Sequence, residues 1–470
     1  MKKYSILFFC CLALTLKYDC ARAQSIAGGS FHSIYLCNDS TIKYAGSNNM
    51  GQLGDGTIAS NQCLCQPTPG SVSLLTGIIK IATGSYHSLA LKIDGTVWAW
   101  GSNTTGSLGD NTTVFRTTPV QVVGLAGVIA VACGNYHSLA LRNDGTVWAW
   151  GDNTFGQLGN GTIINDSIPV QVASLSGITS IACGLHFSLA VKNDGTIYSW
   201  GYNFHGELGD STNIDKHFPI KVKLLTGITS VAGGAEHCIA LKNDSTVWGW
   251  GRNSSGQLGD GTYLEKWIPV PVSQLTGITN ISCGWDHSLA IKNDSTVWSW
   301  GNNFYGQLGN GTVTWSNTPV QVNNQTGVIS IAAGDAHSLC IKNDGTVWVW
   351  GDNILGELGD GASQTQNTSP AISALQCYTL NHVGQEIIES HITVYPNPFS
   401  SQTFLRTDNN LNDATLTLYN SFGQLVKQME SLSGQTITLQ RDDLPIGLYF
   451  LRLTEGGKVF ATEKFIIADK

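Results

Sequence analysis

Asp286, His287 and Ser288 stand side by side in the segment "GWDHSLAIKNDSTVWSWG" (284–301). Acid, imidazole and hydroxyl are the parts of a nucleophilic hydrolase, in which an aspartate orients the histidine that activates a serine. A second group is His186, His205 and His217 with Asp210 and Asp215, the side-chain types of a metal or acid–base centre. Glycine strings such as "GQLGDG" (256–261) and "GELGDG" (356–361) have the look of phosphate-cradling loops.

The surrounding sequence decides between these chemistries and a structural role. "GSYHSLALKIDGTVWAWG" (84–101), "GNYHSLALRNDGTVWAWG" (134–151), "GAEHCIALKNDSTVWGWG" (234–251) and "GDAHSLCIKNDGTVWVWG" (334–351) repeat the segment. Trp-Gly pairs fall at 100/101, 150/151, 200/201, 250/251, 300/301 and 350/351, a period of 50 residues. A divergent copy at 29–46 makes seven, displaced by an insertion around "SNQCLCQP". In "HSLAL" the histidine and both leucines alternate onto one strand face, so the histidine packs toward a neighbouring element. "GLHFSLAV" puts Phe187 in that slot, which marks it as structural for His32, His87, His137, His237, His287 and His337. Asp286 is not repeated, and consecutive strand residues point to opposite faces. The glycine strings precede no helix and carry no "GK[ST]", so they are turns. "GDGT" and "NDGT" lack the spacing of a calcium loop.

Each repeat holds four strand signals. In one copy they are "TPVQVV" (118–123), "GVIAVACG" (127–134), "HSLALRND" (137–144) and "GTVWAWG" (145–151). "NDG" between the last two is a hairpin turn. Four strands per 50 residues is one propeller blade, and no helical periodicity is sustained. The string "WGxNxxGQLGxGT", then "PVQV", "GxxHSLAL" and "DGTVWAWG", resembles the regulator of chromosome condensation (RCC1-type) repeat. The resemblance implies an all-β, seven-bladed β-propeller over 24–375, its last blade closed by strands from both chain ends.

"MKK", the apolar run 6–16 and "ARA" (21–23) read as a secretory signal peptide, 1–23. Formal net charge is −8; the leader carries Lys2, Lys3, Lys17 and Arg22 against Asp19, so the processed chain is near −11. With no basic run, a nucleic-acid partner is excluded, and no segment reads as a membrane span. Nine of twelve cysteines follow the leader, an odd number that leaves a free thiol. Cys133, Cys183 and Cys283 share one small, buried register position; Cys37, Cys63, Cys65 and Cys377 are the disulfide candidates, with pairing open.

Residues 376–391 read as a linker. From 392 to 470, "YPNPF" (395–399), "LYNSFGQLV" (418–426) and "LPIGLYFLRL" (444–453) resemble, in order and position, the type A sorting domain of the type IX secretion system of Bacteroidota. The resemblance implies a small antiparallel β-sandwich, recognition by the type IX machinery, removal of this domain, and release or attachment to surface lipopolysaccharide.

Function on a repeat scaffold sits where the pattern breaks. Eleven of fourteen tryptophans fill the repeated slots; Trp267, Trp285 and Trp315 do not. With Phe204 and Tyr305 they form the expected partner-binding set, Trp267 and Trp315 in the variable loop after "LGxGT". The expectation is a secreted or cell-surface binding or adhesion module for an extracellular protein or glycan. It is read as no enzyme, with no cofactor, no metal and no catalytic residue. The alternative is an inhibitor of an extracellular enzyme. Lower stand a propeller lyase or hydrolase built on His186, His205 and His217, and the guanine nucleotide exchange of nuclear family members.

Overall fold

In the computed structural model the residues described are 23–59, 64–72, 75–374, 377, 392–420, 425–455 and 458–469. All but Ala23 of the expected leader, Cys63 and nearly all of the expected linker lie outside them. The chain divides into two compact units, 1–378 and 379–470.

The first unit holds seven four-stranded antiparallel sheets, each built from four consecutive strands. Val128–Cys133, His137–Arg142, Val147–Gly151 and Asp166–Gln171 form the third. The continuous apolar run is innermost, because first strands of adjacent sheets neighbour one another round the axis. The outermost strand, half-exposed, carries the polar alternation. The "NDG" hairpins form as expected: Gly145 takes φ 78°, and Ser245 and Ser295 take 63° in the "NDS" copies. The Asp144 carboxylate accepts from the Thr146 amide and hydroxyl at 3.0 and 2.6 Å.

Two repeated devices lock blade to blade. The first is the second tryptophan of "VWAWG". Trp150 is fully buried, and its indole N–H donates to the Ser107 carbonyl of the preceding blade at 2.8 Å. Truncating such a residue would cost about 3–5 kcal/mol. The second is a ladder running from His to Ser. His87 Nε2 meets Ser138 Oγ of the next blade at 2.9 Å, and His237, His287 and their counterparts do likewise. Each Ser hydroxyl donates to a backbone carbonyl, as Ser138 does to Ser107 at 2.9 Å. Its oxygen must therefore accept, which assigns the proton to His Nε2. Burial holds these imidazoles neutral, pushing His87 down to about 4 and His237 to about 3. Glycine at 134 is required here: a Cβ would lie 2.1 Å from the His137 ring and 2.7 Å from the Gly184 carbonyl.

The slot that accepts Phe187 is thus a polar one with an apolar substitute. Its partner across the blade boundary is Cys238, where other copies have serine, and the two share one buried cluster. Both halves of the His–Ser pair are replaced together.

Closure of the ring differs from the expectation. Among the described residues no blade mixes strands from the two ends: the first is Ala23–Gly28 to Cys65–Ser71, and the last is Val328–Ala333 to Thr365–Ile372. The chain enters at an innermost strand and leaves at an outermost one, so neither end supplies a strand to the other's sheet. Closure is made instead by the Cys37–Cys377 disulfide, spanning 340 residues, and by the ladder's own last rung between His337 and Ser33. Cys65 is also disulfide-bonded, whereas Cys133, Cys183, Cys238, Cys283 and Cys340 are free.

The second unit is an antiparallel network of Ile392–Tyr395, Gln402–Asn420, Leu425–Gln440, Gly447–Glu455 and Lys458–Ile467. Register shifts near Leu411 and Ala414 bend the two long strands. Leu405 and Leu439 from one half and Leu416 and Leu451 from the other then meet in a single core, as in a small sandwich.

Candidate partner-binding face

Strand register decides which loops share a face. His137 pairs with Gly151, so the turn 134–136 and the long loop 152–165 leave the blade at the same end. All seven blades repeat this. The opposite end carries the short hairpins, which are nearly uniform, and the connections from one blade to the next, such as 172–177. There Lys192 and Asp194 approach to 3.8 Å, Lys242 and Asp244 to 2.9 Å, and Lys342 lies 4.2 Å over the Trp348 ring. Sequence variation therefore collects at the loop end.

Around the axis the turns form a mouth lined by Asn135, Leu185, Ala235, Trp285 and Asp335, with Cys133, Cys183 and Cys283 on its wall. Burial pushes the thiol of Cys283 up to about 12 and Cys133 and Cys183 well above the usual range, so these cysteines are poor nucleophiles.

Outside the mouth lies an arc of rings. Phe31, Tyr86 and Tyr136 follow one another at 6.2 and 6.0 Å. Phe155 contacts His186 and Tyr202, and Phe204 contacts His205 at 4.9 Å. The arc then turns ionic. His205 Nδ1 lies 2.6 Å from Glu265 and its Nε2 3.7 Å from Glu236. Arg252 bonds Glu236 at 2.7 Å and reaches Asp286 at 4.0 Å.

The consecutive triad does not assemble. His287 bonds Ser338, Ser288 donates to the Gln257 carbonyl, and Asp286 accepts from Gln257 Nε2 at 2.9 Å. His186 faces Asp152 at 3.7 Å, His205 sits between Glu236 and Glu265, and exposed His217 packs beside Gly156 of the preceding blade. They occupy three separate environments. Asp210 and Asp215 are taken by Thr212 and by the Asn203 amide. Among the described residues no group of three or more His, Cys, Asp or Glu is placed to hold a metal ion.

The five aromatic residues picked out in the sequence all belong to the loop end but do not form one cluster. Trp285 lines the axial mouth. Phe204 is exposed, and Tyr305 is half-buried against the more exposed Phe304. Trp315 ends a variable loop and is 43% exposed. Trp267 is a correction: it is the second residue of the outer strand Lys266–Pro271 and not a loop residue. It covers the Gly206 turn of the preceding blade, where a Cβ would come within 2.5 Å of its ring. Thr117, Ser167, His217 and Asn317 occupy the same register.

Sequence reasoning missed the buried carboxyls of this end. Gln157, Gln257 and Gln307 each use one amide atom to accept a backbone N–H and the other to donate to a face residue. Glu207 and Glu357 fill the same slot. Burial pushes both up to about 8, and Asp335 up to about 7. "GELG" in place of "GQLG" was the available signal.

The RCC1-like domain model matches residues 13–323, well over half of the chain, and the Regulator of chromosome condensation (RCC1) repeat model matches 328–357. The chain belongs to the RCC1-like family. Among solved structures, this RCC1-like propeller is similar to human WBSCR16 (25% identity, TM-score 0.63, 70% of this chain and 92% of that one). It is equally similar to Prp20p of Saccharomyces cerevisiae (25%, TM-score 0.63, 75% and 87%). The probable E3 ubiquitin-protein ligase HERC6 of Homo sapiens is 39% identical over 83 residues, 17% of this chain and 8% of that protein. The chain thus spans under a tenth of the length of such curated relatives. Residues 393–468 match the Secretion system C-terminal sorting domain, which marks this RCC1-like protein for secretion and cell-surface presentation. Among the described residues no helix is long and apolar enough to cross a membrane.

Proposed function

We propose that the propeller is an extracellular binding module whose loop face docks a protein partner. One observation carries this: residue variety collects in the long loops of that end, whose tips expose an apolar side chain blade after blade, while the hairpins of the other end are nearly uniform. Val114, Ile164, Ile214, Leu264 and Trp315 stand 56, 70, 63, 67 and 43% exposed at loops of five successive blades. Apolar tips of this kind mark interaction surfaces, and aromatic anchors dominate interface energetics. A protein partner that is itself an enzyme would make the chain an inhibitor, read as stoichiometric loss of that enzyme's activity.

The test immobilises the full chain, exposes it to culture supernatant and surface extract, and identifies retained proteins by mass spectrometry. Phe204→Ala and Trp315→Ala should each lose a protein that the wild type and Lys192→Ala retain. Equal retention by all four would overturn the proposal.

A further inference from the structure

The turn between the first and second strands of each blade begins with glycine, and the residue after that glycine varies from copy to copy. In all seven turns this variable residue lines the axial mouth, so one side chain per blade decides what the mouth presents. Taken in order round the axis they fall into two arcs. Leu185, Ala235 and Trp285, from three successive blades, are apolar. Asp335, Ser30, Ser85 and Asn135, from the four blades that complete the ring, are polar. The polar arc exists only because the ring closes: the Asp335 amide meets the Gly29 carbonyl at 3.3 Å, which puts Asp335 next to Ser30.

These groups are uncommitted. None of the four polar side chains makes a hydrogen bond or ion pair among the described residues. Ser30 and Ser85 are only 8 and 6% exposed, so two residues more than nine-tenths buried place hydroxyls on the cavity wall with no protein partner. Buried hydroxyls of this kind are costly until something in the cavity pairs with them. Trp285 is equally free. The tryptophans of the second repeat slot spend the indole N–H on a backbone carbonyl, as Trp100 and Trp300 do at 2.9 and 2.8 Å. Trp285 has no such bond and no stacked ring among the described residues. Its amide donates to the Asp335 carbonyl at 3.1 Å, which sets the indole where the two arcs meet.

Size and chemistry narrow the occupant. The cavity measures about 140 Å³. That is several times the roughly 30 Å³ share of one water, and below the roughly 300 Å³ at which sites for drug-sized ligands begin. It has room for one small ring. Two hydroxyls and an amide offer donors as well as acceptors, and Asp335 adds an acceptor. A cation would leave the donors unpaired, an anion would meet the Asp335 carboxyl, and a wholly apolar ligand would strand the whole polar arc. A ring with an apolar C–H face and hydroxyls round its edge satisfies both arcs.

We propose that the axial mouth binds one pyranose ring, free or as the end residue of a glycan, with its C–H face against Trp285 and its hydroxyls paired to Asp335, Ser30, Ser85 and Asn135. This goes beyond the docking of a protein on the outer loops and stands without it.

The probes are glucose, galactose, mannose, N-acetylglucosamine and rhamnose with their methyl glycosides, titrated into the full chain and followed by ligand-observed NMR. Trp285→Ala, Trp285→Phe, Ser85→Ala and Asp335→Asn are compared with Lys192→Ala on the opposite end, each checked by thermal melting. At least one sugar should bind saturably, with a Kd of roughly 1–10 mM for so small a ligand. Trp285→Ala should weaken that sugar about tenfold or more, and Ser85→Ala and Asp335→Asn about threefold or more. Trp285→Phe should keep most of the affinity, and Lys192→Ala all of it. Methyl glycosides that bind as well as the free sugar assign the mouth to chain ends, and glycosides that fail to bind assign it to the free sugar; either upholds the proposal. Absence of saturable binding by every sugar would overturn it. So would an affinity unchanged in Trp285→Ala and Ser85→Ala, which would put the sugar elsewhere on the chain. Equal binding of cyclohexanol would make the mouth a plain apolar pocket, and tighter binding of Nα-acetyl-lysine methylamide would make it a cation site; each would overturn the proposal.

Discussion

His337 Nε2 lies 3.0 Å from Ser33 Oγ, across 304 residues of sequence, and this contact closes the propeller. It is the same rung that joins His87 to Ser138 and His287 to Ser338. Ser33 in turn donates to the Glu357 carbonyl at 2.8 Å. The Cys37–Cys377 disulfide stands near the same seam. The first and last blades thus meet as any two neighbours do, with a covalent tie in place of a shared sheet.

Breaking the seam should destabilise the ring more than its local contacts suggest. Ser33→Ala leaves the buried His337 donor unpaired and should cost roughly 1–3 kcal/mol. Cys377→Ser should cost roughly 2–5 kcal/mol by freeing a very long loop in the unfolded chain. Denaturant unfolding with and without reductant measures both. An unchanged midpoint in Cys377→Ser under oxidising conditions would remove the closing role of the disulfide.

The Phe187–Cys238 pair should behave as a unit. Phe187→His alone places an imidazole against a cysteine and should destabilise by about 1–3 kcal/mol. Adding Cys238→Ser should recover most of that, because it rebuilds the rung found elsewhere. The double-mutant cycle should give a favourable coupling of about 1–2 kcal/mol. Strict additivity would mean the two sites are independent.

Glu207 and Glu357 should make the folded chain less stable as pH rises. Their folded pKa values, about 8, lie above the ordinary 4.5, so the folded state keeps protons that the unfolded chain has released. Stabilisation from those protons is full below the ordinary value and is lost as pH climbs toward about 8. Asp335, raised to about 7, adds in the same direction. Glu207→Gln should flatten this slope and gain roughly 1–3 kcal/mol at pH 8. Chemical denaturation at pH 5 and 8 decides; an equal slope in the variant would refute the assignment.

Trp267 should separate folding from binding. Trp267→Thr introduces the side chain that Thr117 places at the same register, so the melting temperature should move little. Partner affinity should nevertheless fall about tenfold if the indole is an anchor. Loss of stability with unchanged affinity would make it a cover for Gly206 and nothing more.

Much of the scaffold was legible because each blade is local. Period-2 alternation and "NDG" turns specify four strands within 50 residues, and "HSLAL" with Phe187 in its slot marked the repeated histidine as structural. What lay beyond reach were relations between repeats. The sequence shows six histidines but not that each bonds a serine 51 or 56 residues on, or that the last bonds Ser33. Trp267 read as a loop residue because its register with Thr117 and Asn317 is carried by unlike side chains. The expected strand exchange failed because the number of strands, not their pattern, settles which end closes which blade.

The sequence by itself determined the repeat, the blade, the sorting domain and the address. Alternation, turns and spacing act between residues close in the chain, and they read the same in every copy. Tertiary structure alone decided which loops share a face, which carboxyls are buried, and how the ring is sealed. Those outcomes depend on curving seven nearly equal units until the first meets the last, which brings Asp335 beside Trp285 and His337 beside Ser33.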